Sequence, residues 1–413
     1  MATVVLLGTL DTKGIEYGYL RDQILEHSSC DVLMVDAGVL GEPRTPPDIT
    51  RDEVAEAAGT TVAQLAQAND RGAAVATMAD GAARILTRLF QEGRVQGVLG
   101  LGGSGGSSLV THAMRALPVG VPKLMVSTVA SGDTRPYVGA VDITMMYSVV
   151  DIAGINRVSA RILSNAAAAI AGMAESYARP LPDTGDKPLI GATMFGVTTP
   201  CVTRAREVLE EQGYEVLVFH ATGAGGQSME ALVEGGFLDG VLDITTTELA
   251  DDLVGGVFSA GPDRLEIAGQ KGIPQVVSLG ALDMVNFGPK ATVPEKFQDR
   301  NLYVHNPTIT LMRTTPGECA ELGRRIARKL SAATGPVALF IPRGGVSAIA
   351  TEGGVFHDPE ADAALIDTLL ANLGDNVEVH DMAQDINDPR FAEAMAQRLV
   401  ELVSERSRER MQA

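Results

Sequence analysis

Residues 98–108 constrain the fold more than any other part of the chain, because an apolar run there ends in a cluster of glycines. The sequence VLGLGGSGGSS leads into the helix-like residues 109–116. Glycine allows a sharp turn and lets a ligand approach the backbone without meeting a Cβ atom. A following helix offers unpaired N–H groups and the positive end of its dipole. The pattern predicts strand, turn and helix, with either a phosphate-type anion at the turn or a turn that only packs helix on sheet.

The glycine spacing matches known nucleotide motifs only in part. Gly100, Gly102 and Gly105 fit the dinucleotide spacing GxGxxG, a match that is weak alone. A ribose-binding acid is expected about twenty residues later, but the next acid is Asp133. The Walker pattern fails as well, because it needs a lysine directly before the Ser or Thr, and Gly106 stands directly before Ser107. The cluster therefore indicates an anion site without identifying a nucleotide.

Length, charge and cysteine content exclude several classes of protein. A chain of 413 residues predicts two or three domains. Its net charge of −19 argues against nucleic acid as a partner, because phosphate backbones need clustered Lys and Arg. Three widely spaced cysteines argue against a disulfide framework or a zinc site and favour a reducing, cytoplasmic location. No membrane partner is expected, since no apolar stretch is long enough to span a bilayer and no signal peptide is apparent.

The first half of the chain alternates apolar strands with helices, which predicts a Rossmann-like domain over residues 1–180. The strands are apolar throughout, a pattern typical of a parallel sheet covered on both faces. Thr50 ahead of Glu53 predicts a helix cap. It begins a helical excursion that is long enough to form an interface or a lid. The predicted strands are 4–7, 32–35, 95–101 and 123–126, and the predicted helices are 12–26, 51–92 and 155–178.

A proline-rich polar segment at residues 181–187 predicts a linker to a second series of strands and helices. The strands of this second series are predicted at 189–194, 216–219, 241–244, 275–278, 302–305, 337–341 and 377–379. Residues 188–413 are expected to form a second α/β domain, so that the chain contains two Rossmann-like, doubly wound parallel sheets. A TIM-barrel-like second half is the alternative, since a long series of strand–helix units can close on itself.

Polar residues follow three strands of the first domain, and open parallel sheets bind ligands at that end of their strands. Lys13 and Arg135 would neutralise phosphate charge, while Asp11 or Asp133 would hold Mg²⁺. A helix cap or a turn also explains each acid taken alone. The predicted nucleotide-binding residues are Thr9, Asp11, Thr12, Lys13, Gly102, Gly103, Ser104, Gly105, Gly106, Ser107, Ser127, Thr128, Ser131, Gly132 and Asp133.

The second domain suggests a different chemistry around Cys201. A cysteine near a helix N-terminus can have a lowered pKa and act as a nucleophile. Arg313 and Arg343 would then hold the acid group of a small carboxylate. These residues predict, as an alternative function, an isomerase or lyase that needs no nucleotide. A small buried residue at the start of a helix is the simpler explanation of Cys201.

Taken together, the motifs resemble the ATP-binding N-terminal region of the plant tobamovirus-resistance family and its bacterial homologues. The resemblance runs nearly end to end. It is carried by GTLDTKG at 8–14, GGSGGSS at 102–108, STVASGD at 127–133, MFGVTTPC at 194–201 and DITTTELADD at 243–252. It implies two Rossmann-like domains, ATP with Mg²⁺ in the first of them, and a homodimer.

We therefore expect an ATP-binding, Mg²⁺-dependent protein that acts on or senses a small metabolite. As an enzyme it would transfer a phosphoryl or adenylyl group, with Lys13 and Arg135 stabilising charge and Asp11 or Asp133 positioning the metal. As a sensor it would bind the nucleotide without turnover. The sequence leaves this choice open.

Overall fold

Contacts divide the chain into two units, Met1–Thr184 and Gly185–Ala413. The structure is a computed structural model that describes residues 2–180 and 187–412. Of the predicted linker 181–187, all but Lys187 lies outside the described residues. Each unit is built around its own parallel sheet.

Five parallel strands form the sheet of the first unit. They are β1 (Thr3–Gly8), β2 (Asp31–Asp36), β3 (Gly97–Gly102), β4 (Lys123–Ser127) and β5 (Thr144–Tyr147), in the spatial order β2-β1-β3-β4-β5. The helices are α1 (Leu10–His27), α2 (Arg51–Ala57), α3 (Val62–Ala68), α4 (Arg71–Gln91), α5 (Ser104–Arg115), α6 (Arg135–Val138) and α7 (Arg157–Tyr177). The strand β5 is an addition to the predicted set.

Successive residues of β1 face opposite helical layers, which explains why the strand is apolar at nearly every position. Val5 and Leu7 pack with α4 and α5, whereas Val4 and Leu6 pack with α1 and α7. Each such buried side chain contributes about 1.5–3 kcal/mol relative to exposure. The prediction of a parallel sheet covered on both faces is confirmed.

The predicted, mostly helical excursion at residues 51–92 consists of three helices, α2, α3 and α4. Thr50 caps α2 as predicted: its hydroxyl accepts the Glu53 N–H at 3.3 Å, and the Glu53 carboxylate accepts the Thr50 N–H at 2.8 Å. Thr61 forms the same capping box at the start of α3. Gly59, with φ of +80°, lies in the turn between α2 and α3 and suits a position that L side chains rarely adopt.

Six parallel strands form the main sheet of the second unit, and a smaller antiparallel sheet accompanies it. The main strands are β6 (Leu189–Met194), β7 (Glu215–His220), β8 (Gly240–Thr245), β9 (Gln275–Gly280), β13 (Val337–Pro342) and β14 (Val377–Met382), in the order β14-β13-β9-β8-β6-β7. The smaller sheet contains β10 (Met284–Phe287), β11 (Leu302–Asn306) and β12 (Ile309–Arg313), in the order β10-β12-β11.

The helices of the second unit cover its main sheet. They are α8 (Thr199–Glu211), α9 (Ala224–Glu234), α10 (Glu248–Val254), α11 (Ile267–Gln270), α12 (Pro316–Ser331), α13 (Pro359–Asn372) and α14 (Pro389–Gln412), with short 3-10 turns at Lys290–Thr292 and Glu295–Phe297. Within residues 2–180 and 187–412, no helix combines the length and the apolar composition that crossing a bilayer requires.

In the second half, the barrel alternative is wrong, and the strand predicted at 302–305 is present but belongs to a different sheet. The main sheet is open, with β14 and β7 at its edges, so the barrel alternative is excluded. The strand predicted at 302–305 is β11, which belongs to the antiparallel sheet and pairs with β12. Its residues are mostly exposed, unlike the buried strands of the main sheet, and this matches a sheet edge.

Both main sheets reverse their strand order at one point. In each sheet the second strand lies on one side of the first strand, and the third strand lies on its other side. The connections that follow the adjacent strands β1 and β3, and likewise β6 and β8, therefore run in opposite directions. In open α/β sheets a ligand crevice forms at this reversal, beyond the carboxyl ends of the strands.

Candidate functional site

A cavity of about 620 Å³ lies at the strand reversal of the first unit, where β1 and β3 end. Its size is that of a small-molecule site. One wall follows β1 and β3 and is polar; the opposite wall comes from the loop after β2 and from α3 and α4. The lining residues are Thr9, Asp11, Thr12, Lys13, Ala37, Val39, Leu40, Leu65, Ala66, Asn69, Asp70, Arg71, Ala74, Val75, Met78, Gly102, Gly103, Ser104, Gly105, Gly106, Leu109 and Asp151.

The first turn of α5 forms the centre of the polar wall. The first N–H groups of any α-helix lack an intrahelical acceptor, and the N-cap of α5 is Gly103, which supplies no capping side chain. The helices α2, α3, α4 and α7 of this unit have side-chain caps, whereas α1 and α6 do not; Asp70, for example, accepts the Ala73 N–H at the start of α4. The open N–H groups of α5 therefore point to a ligand that would take the place of the cap.

Space for such a ligand exists directly above Gly105. A Cβ atom added at Gly105 would approach nothing nearer than the Arg71 guanidinium, at 4.0 Å. In contrast, a Cβ at Gly102 would lie 2.9 Å from the Gly106 Cα and would collide with backbone. Gly102 is thus needed for the tight turn itself, while Gly105 keeps the cavity free.

The turn after β1 supplies hydroxyls and a cation. The Thr9 and Thr12 hydroxyl oxygens lie 2.8 Å apart. Lys13 departs from helical geometry at φ −122° and ψ 15°, so the helix is kinked there. The Lys13 ammonium donates to the Ile152 carbonyl oxygen, next to the lining residue Asp151. Because that acceptor is neutral, the positive charge of Lys13 stays available to an anion.

Asp11 chiefly organises the loop that carries the apolar wall. Its carboxylate accepts the N–H groups of Leu40 at 2.8 Å and Gly41 at 3.3 Å. A Cβ at Gly38 would collide with this carboxylate at 2.7 Å. The Asp11 Oδ1 is buried without a hydrogen-bond partner in the described part of the chain. Asp11 therefore combines a structural role with one unused oxygen beside the cavity.

The remaining predicted residues divide into buried and distant groups. The Ser107 and Ser127 hydroxyls are fully buried and lie 2.6 Å apart, joining α5 to the end of β4. Thr128 lies 3.7 Å from a Cβ position on Gly103. Ser131, Gly132, Asp133 and Arg135 do not line the cavity.

Asp133 and Arg135 are partners of one another on the surface. The Arg135 guanidinium donates to both Asp133 oxygens at 2.9 and 2.8 Å. These hydrogen bonds lower the pKa of Asp133 to about 2. The structure thus brings the first two predicted loops together at the cavity and leaves this ion pair outside its lining.

The residues of α3 and α4 that complete the cavity are not among the predicted site residues. Leu65, Val75 and Met78 give it an apolar surface, and Arg71 places a guanidinium beside Gly105. The signal for them was the length of the 51–92 excursion, which the structure places against the strand ends. Among described residues, no group of three or more His, Cys, Asp or Glu side chains is arranged to hold a metal ion.

Cys201 has the surroundings of a core residue. It lies in the first turn of α8, is fully buried and packs among apolar side chains that include Ile190 and Phe391. Burial raises the pKa of the Cys201 thiol, which opposes formation of a thiolate. The structure supports the simpler explanation of this cysteine.

The two arginines assigned to a carboxylate substrate already have carboxylate partners. Arg313 contacts Asp362 at 2.6 Å and donates to the Phe356 carbonyl oxygen at 2.8 Å. Arg343 donates to both oxygens of Asp381, each at 2.8 Å. These ion pairs, with the burial of Cys201, remove the geometric basis of the isomerase or lyase alternative.

The glycine-rich turn of the second unit is filled by the protein's own carboxylate. The Glu248 Oε1 accepts the N–H groups of Gly223 at 2.8 Å and Gly226 at 3.1 Å, at the start of α9. The Glu248 Oε2 contacts the Arg264 Nε at 2.7 Å. A Cβ at Gly226 would lie 2.1 Å from Glu248, so the glycine is required by this internal contact. The N–H groups at this turn are therefore not available to an outside anion.

The same cluster gives the second unit a pH dependence. Burial, reinforced by Asp243 and Glu248 and opposed by Arg264, raises the pKa of Glu230 to about 7. The native state therefore holds a proton that the unfolded chain releases near pH 4.3. The contribution of this group to the free energy of unfolding is greatest below about pH 4.3 and is lost as the pH rises to 7, on the order of 3–4 kcal/mol in all.

Glu230→Gln should remove that loss, because glutamine stays neutral and its oxygen can still accept the Leu265 N–H. Calorimetric melting between pH 5 and 8 should show a smaller decline for this variant than for the wild type. Glu234→Gln, an exposed position on the same helix, should follow the wild type. Parallel curves for Glu230→Gln and the wild type would contradict the assignment.

Two family models match the chain almost end to end. The N-terminal domain model of an uncharacterised protein family, UPF0261, matches residues 2–179, and the C-terminal domain model of that family matches residues 187–403. The chain belongs to the UPF0261 family. A UPF0261 protein of Clostridium tetani is 55% identical over 401 residues, which are 97% of this chain and 98% of that protein.

The family extends to plants, which confirms the predicted resemblance. The ToMV resistance protein Tm-1(GCR237) of Solanum lycopersicum is 48% identical over 340 residues, which are 81% of this chain and 45% of the tomato protein. Among solved structures, UDP-GlcNAc 2-epimerase from Neisseria meningitidis bound to UDP-GlcNAc is 9% identical, with a TM-score of 0.24 over 67% of this chain and 82% of that one. A likeness this low carries no argument about the ligand of this UPF0261 protein.

Proposed function

We propose that the cavity of the first unit binds a nucleoside triphosphate, ATP, together with Mg²⁺. The observation that carries the proposal is the uncapped first turn of α5, which opens into a cavity whose opposite wall includes the apolar side chains of Leu65, Val75 and Met78. Backbone N–H groups and a helix dipole suit phosphate oxygens. An apolar wall suits the face of a base, so the two ends of the cavity match the two ends of a nucleotide.

Two cations of the cavity lining are available to phosphates. Lys13 donates only to a neutral carbonyl oxygen, and Arg71 makes no hydrogen bond or ion pair with any residue that the structure describes. More distant carboxylates are largely screened beyond about 8 Å at physiological salt. The cavity lining also contains the carboxylates of Asp11, Asp70 and Asp151, so the two cations serve the phosphates locally and the proposed Mg²⁺ offsets the carboxylates.

The residues present also fit a magnesium ion carried by the nucleotide. Mg²⁺ is commonly held by one or two carboxylates with phosphate oxygens and water. Asp11 has an unused buried oxygen, and Asp151 lines the polar side of the cavity. These two carboxylates would share the ion with the phosphates, and the ion would neutralise phosphate charge.

Isothermal titration with ATP and Mg²⁺ tests the proposal. We expect a dissociation constant between about 1 μM and 1 mM, equivalent to −8 to −4 kcal/mol. Lys13→Ala should weaken binding about tenfold, because it removes one charge-assisted contact of roughly 1.5 kcal/mol or more. Lys271→Ala, an exposed lysine of the second unit, should leave binding unchanged. Absence of heat at millimolar ATP would contradict the proposal.

Turnover separates an enzyme from a sensor. We infer a small metabolite as the second ligand, and phosphoryl or adenylyl transfer as the reaction. Chromatography of ATP incubated with the protein and candidate acceptors would show ADP and a phosphorylated acceptor for phosphoryl transfer, or pyrophosphate and an adenylylated acceptor for adenylyl transfer. ATP that binds with the expected affinity and stays intact would support a sensor.

A further inference from the structure

A second cavity, of about 650 Å³, lies beside the first on the other side of Arg71 and Gly105. It runs between α4 and α5, and we call it the α4–α5 groove. It shares Arg71, Val75, Ser104 and Gly105 with the first cavity. Its own lining consists of Gly72, Ala76, Ala79, Asp80, Ser108, His112 and Arg115. A molecule in the groove would therefore lie next to one in the first cavity.

The groove carries more positive than negative groups. Arg71 has no partner within the described residues. Arg115 donates from Nη1 to the carbonyl oxygens of Pro136 at 3.1 Å and Tyr137 at 2.7 Å, which leaves its charge unneutralised. His112 lies 2.8 Å from Asp80, the one acid in the lining. Two unneutralised arginines in one groove are notable in a chain with net charge −19.

The far end of the groove lies beyond the reach of phosphates at the start of α5. Eleven residues separate Ser104 from Arg115, and a helix rises 1.5 Å per residue, so the two lie roughly 16 Å apart along α5. Phosphates bound by the first turn would contact Arg71 but not Arg115. The arginine at the far end thus points to a separate anionic molecule.

We propose that the α4–α5 groove binds a small oxyanion, a carboxylate or phosphate monoester, as the second ligand of the protein. That this second ligand would lie beside a nucleotide rests on the proposed function. The positive charge of the groove is observed independently of that function. Arginine suits both classes of anion because its guanidinium donates in a fork to two oxygens. The exposed Ser108 hydroxyl adds a donor between the two arginines.

A charge placed inside or outside the groove tests the proposal. The probes are succinate and glycerol 3-phosphate, titrated with and without saturating ATP and Mg²⁺ and observed by ligand NMR. At least one should bind with a dissociation constant below about 10 mM. Ala76→Glu puts a carboxylate on the groove wall and should weaken that probe at least tenfold. Ala73→Glu makes the same change on the same helix, at an exposed position lining neither cavity, and should have no effect.

Arg115→Gln provides an independent arm, with Arg88→Gln on the outer surface as its control. We expect at least fivefold weaker probe binding for Arg115→Gln and less than a twofold change in ATP affinity. Failure of both probes to bind, or equal binding to Ala76→Glu and Ala73→Glu, would overturn the inference even if ATP binds. Probe binding without ATP binding would support the groove and contradict the nucleotide proposal, so the two failures are distinguishable. The stronger probe identifies carboxylate or phosphate as the ligand class.

Discussion

Replacing Arg264 by methionine is expected to lower the free energy of unfolding of the second unit by about 3–5 kcal/mol. The Arg264 guanidinium contacts both Asp243 oxygens at 2.6 and 2.7 Å and Glu248 at 2.7 Å, and all three side chains are buried. Removing the cation leaves two buried carboxylates without their partner. Burial of an uncompensated charge is among the largest single-residue costs in a folded protein.

Arg390→Met is the matched control for that experiment. Arg390 also pairs with a carboxylate, Asp388, at 2.6 Å, but its side chain is 72% exposed. Exposed pairs contribute about 0–1 kcal/mol, so this variant should melt close to the wild type. Differential calorimetry of both variants measures the difference. Equal melting temperatures would show that the Arg264 cluster is not a stabilising feature of the native state.

The Arg264 cluster also explains why the two units differ in what they can bind. Each unit has glycines at the start of a helix, but in the second unit Glu248 occupies the N–H groups of that turn. In the first unit the equivalent donors of α5 face a cavity. A helix start bound by an internal carboxylate has no free donors for a phosphate, which is why we propose the nucleotide site in the first unit rather than at α9.

The fold was largely predictable because its signals are local. Apolar strands such as 4–7 and 98–101 require cover on both faces, and glycines mark the turns between them. The small antiparallel sheet was not predictable in this way. Its strands β10 and β12 pair across a gap of about twenty residues, and pairing between distant segments depends on the whole fold more than on either sequence.

The candidate site was predictable only where residues sit directly at a strand end. Thr9, Lys13 and Gly105 occupy such positions and line the cavity. Asp133 has the same sequence context, yet its neighbour Arg135 takes its carboxylate. Leu65 and Val75 complete the cavity from the helices α3 and α4. The position of these helices against the sheet edge depends on tertiary packing, which could not be predicted from the local sequence.

Replacing Gly105 by valine is expected to weaken ATP binding at least a hundredfold, about 2.8 kcal/mol, with little change in folding. The added Cβ would meet no atom nearer than 4.0 Å, so the folded backbone accommodates it. The valine methyl groups would fill the space in which we place the phosphates. They would also shield the N–H groups of α5, so the change removes both room and hydrogen bonds.

Gly172→Val is the control for this prediction, since it makes the same change within a helix at an exposed glycine with no atom within 4 Å. Gly172 lies on α7 and does not line the cavity. Calorimetric titration should give the wild-type dissociation constant for Gly172→Val and no measurable heat for Gly105→Val, while thermal melting shows both variants folded. If Gly105→Val binds ATP as tightly as Gly172→Val, the phosphates do not lie at the start of α5. In that case Lys13 and Arg71 lose their proposed role together, because both were assigned to phosphates bound at this turn.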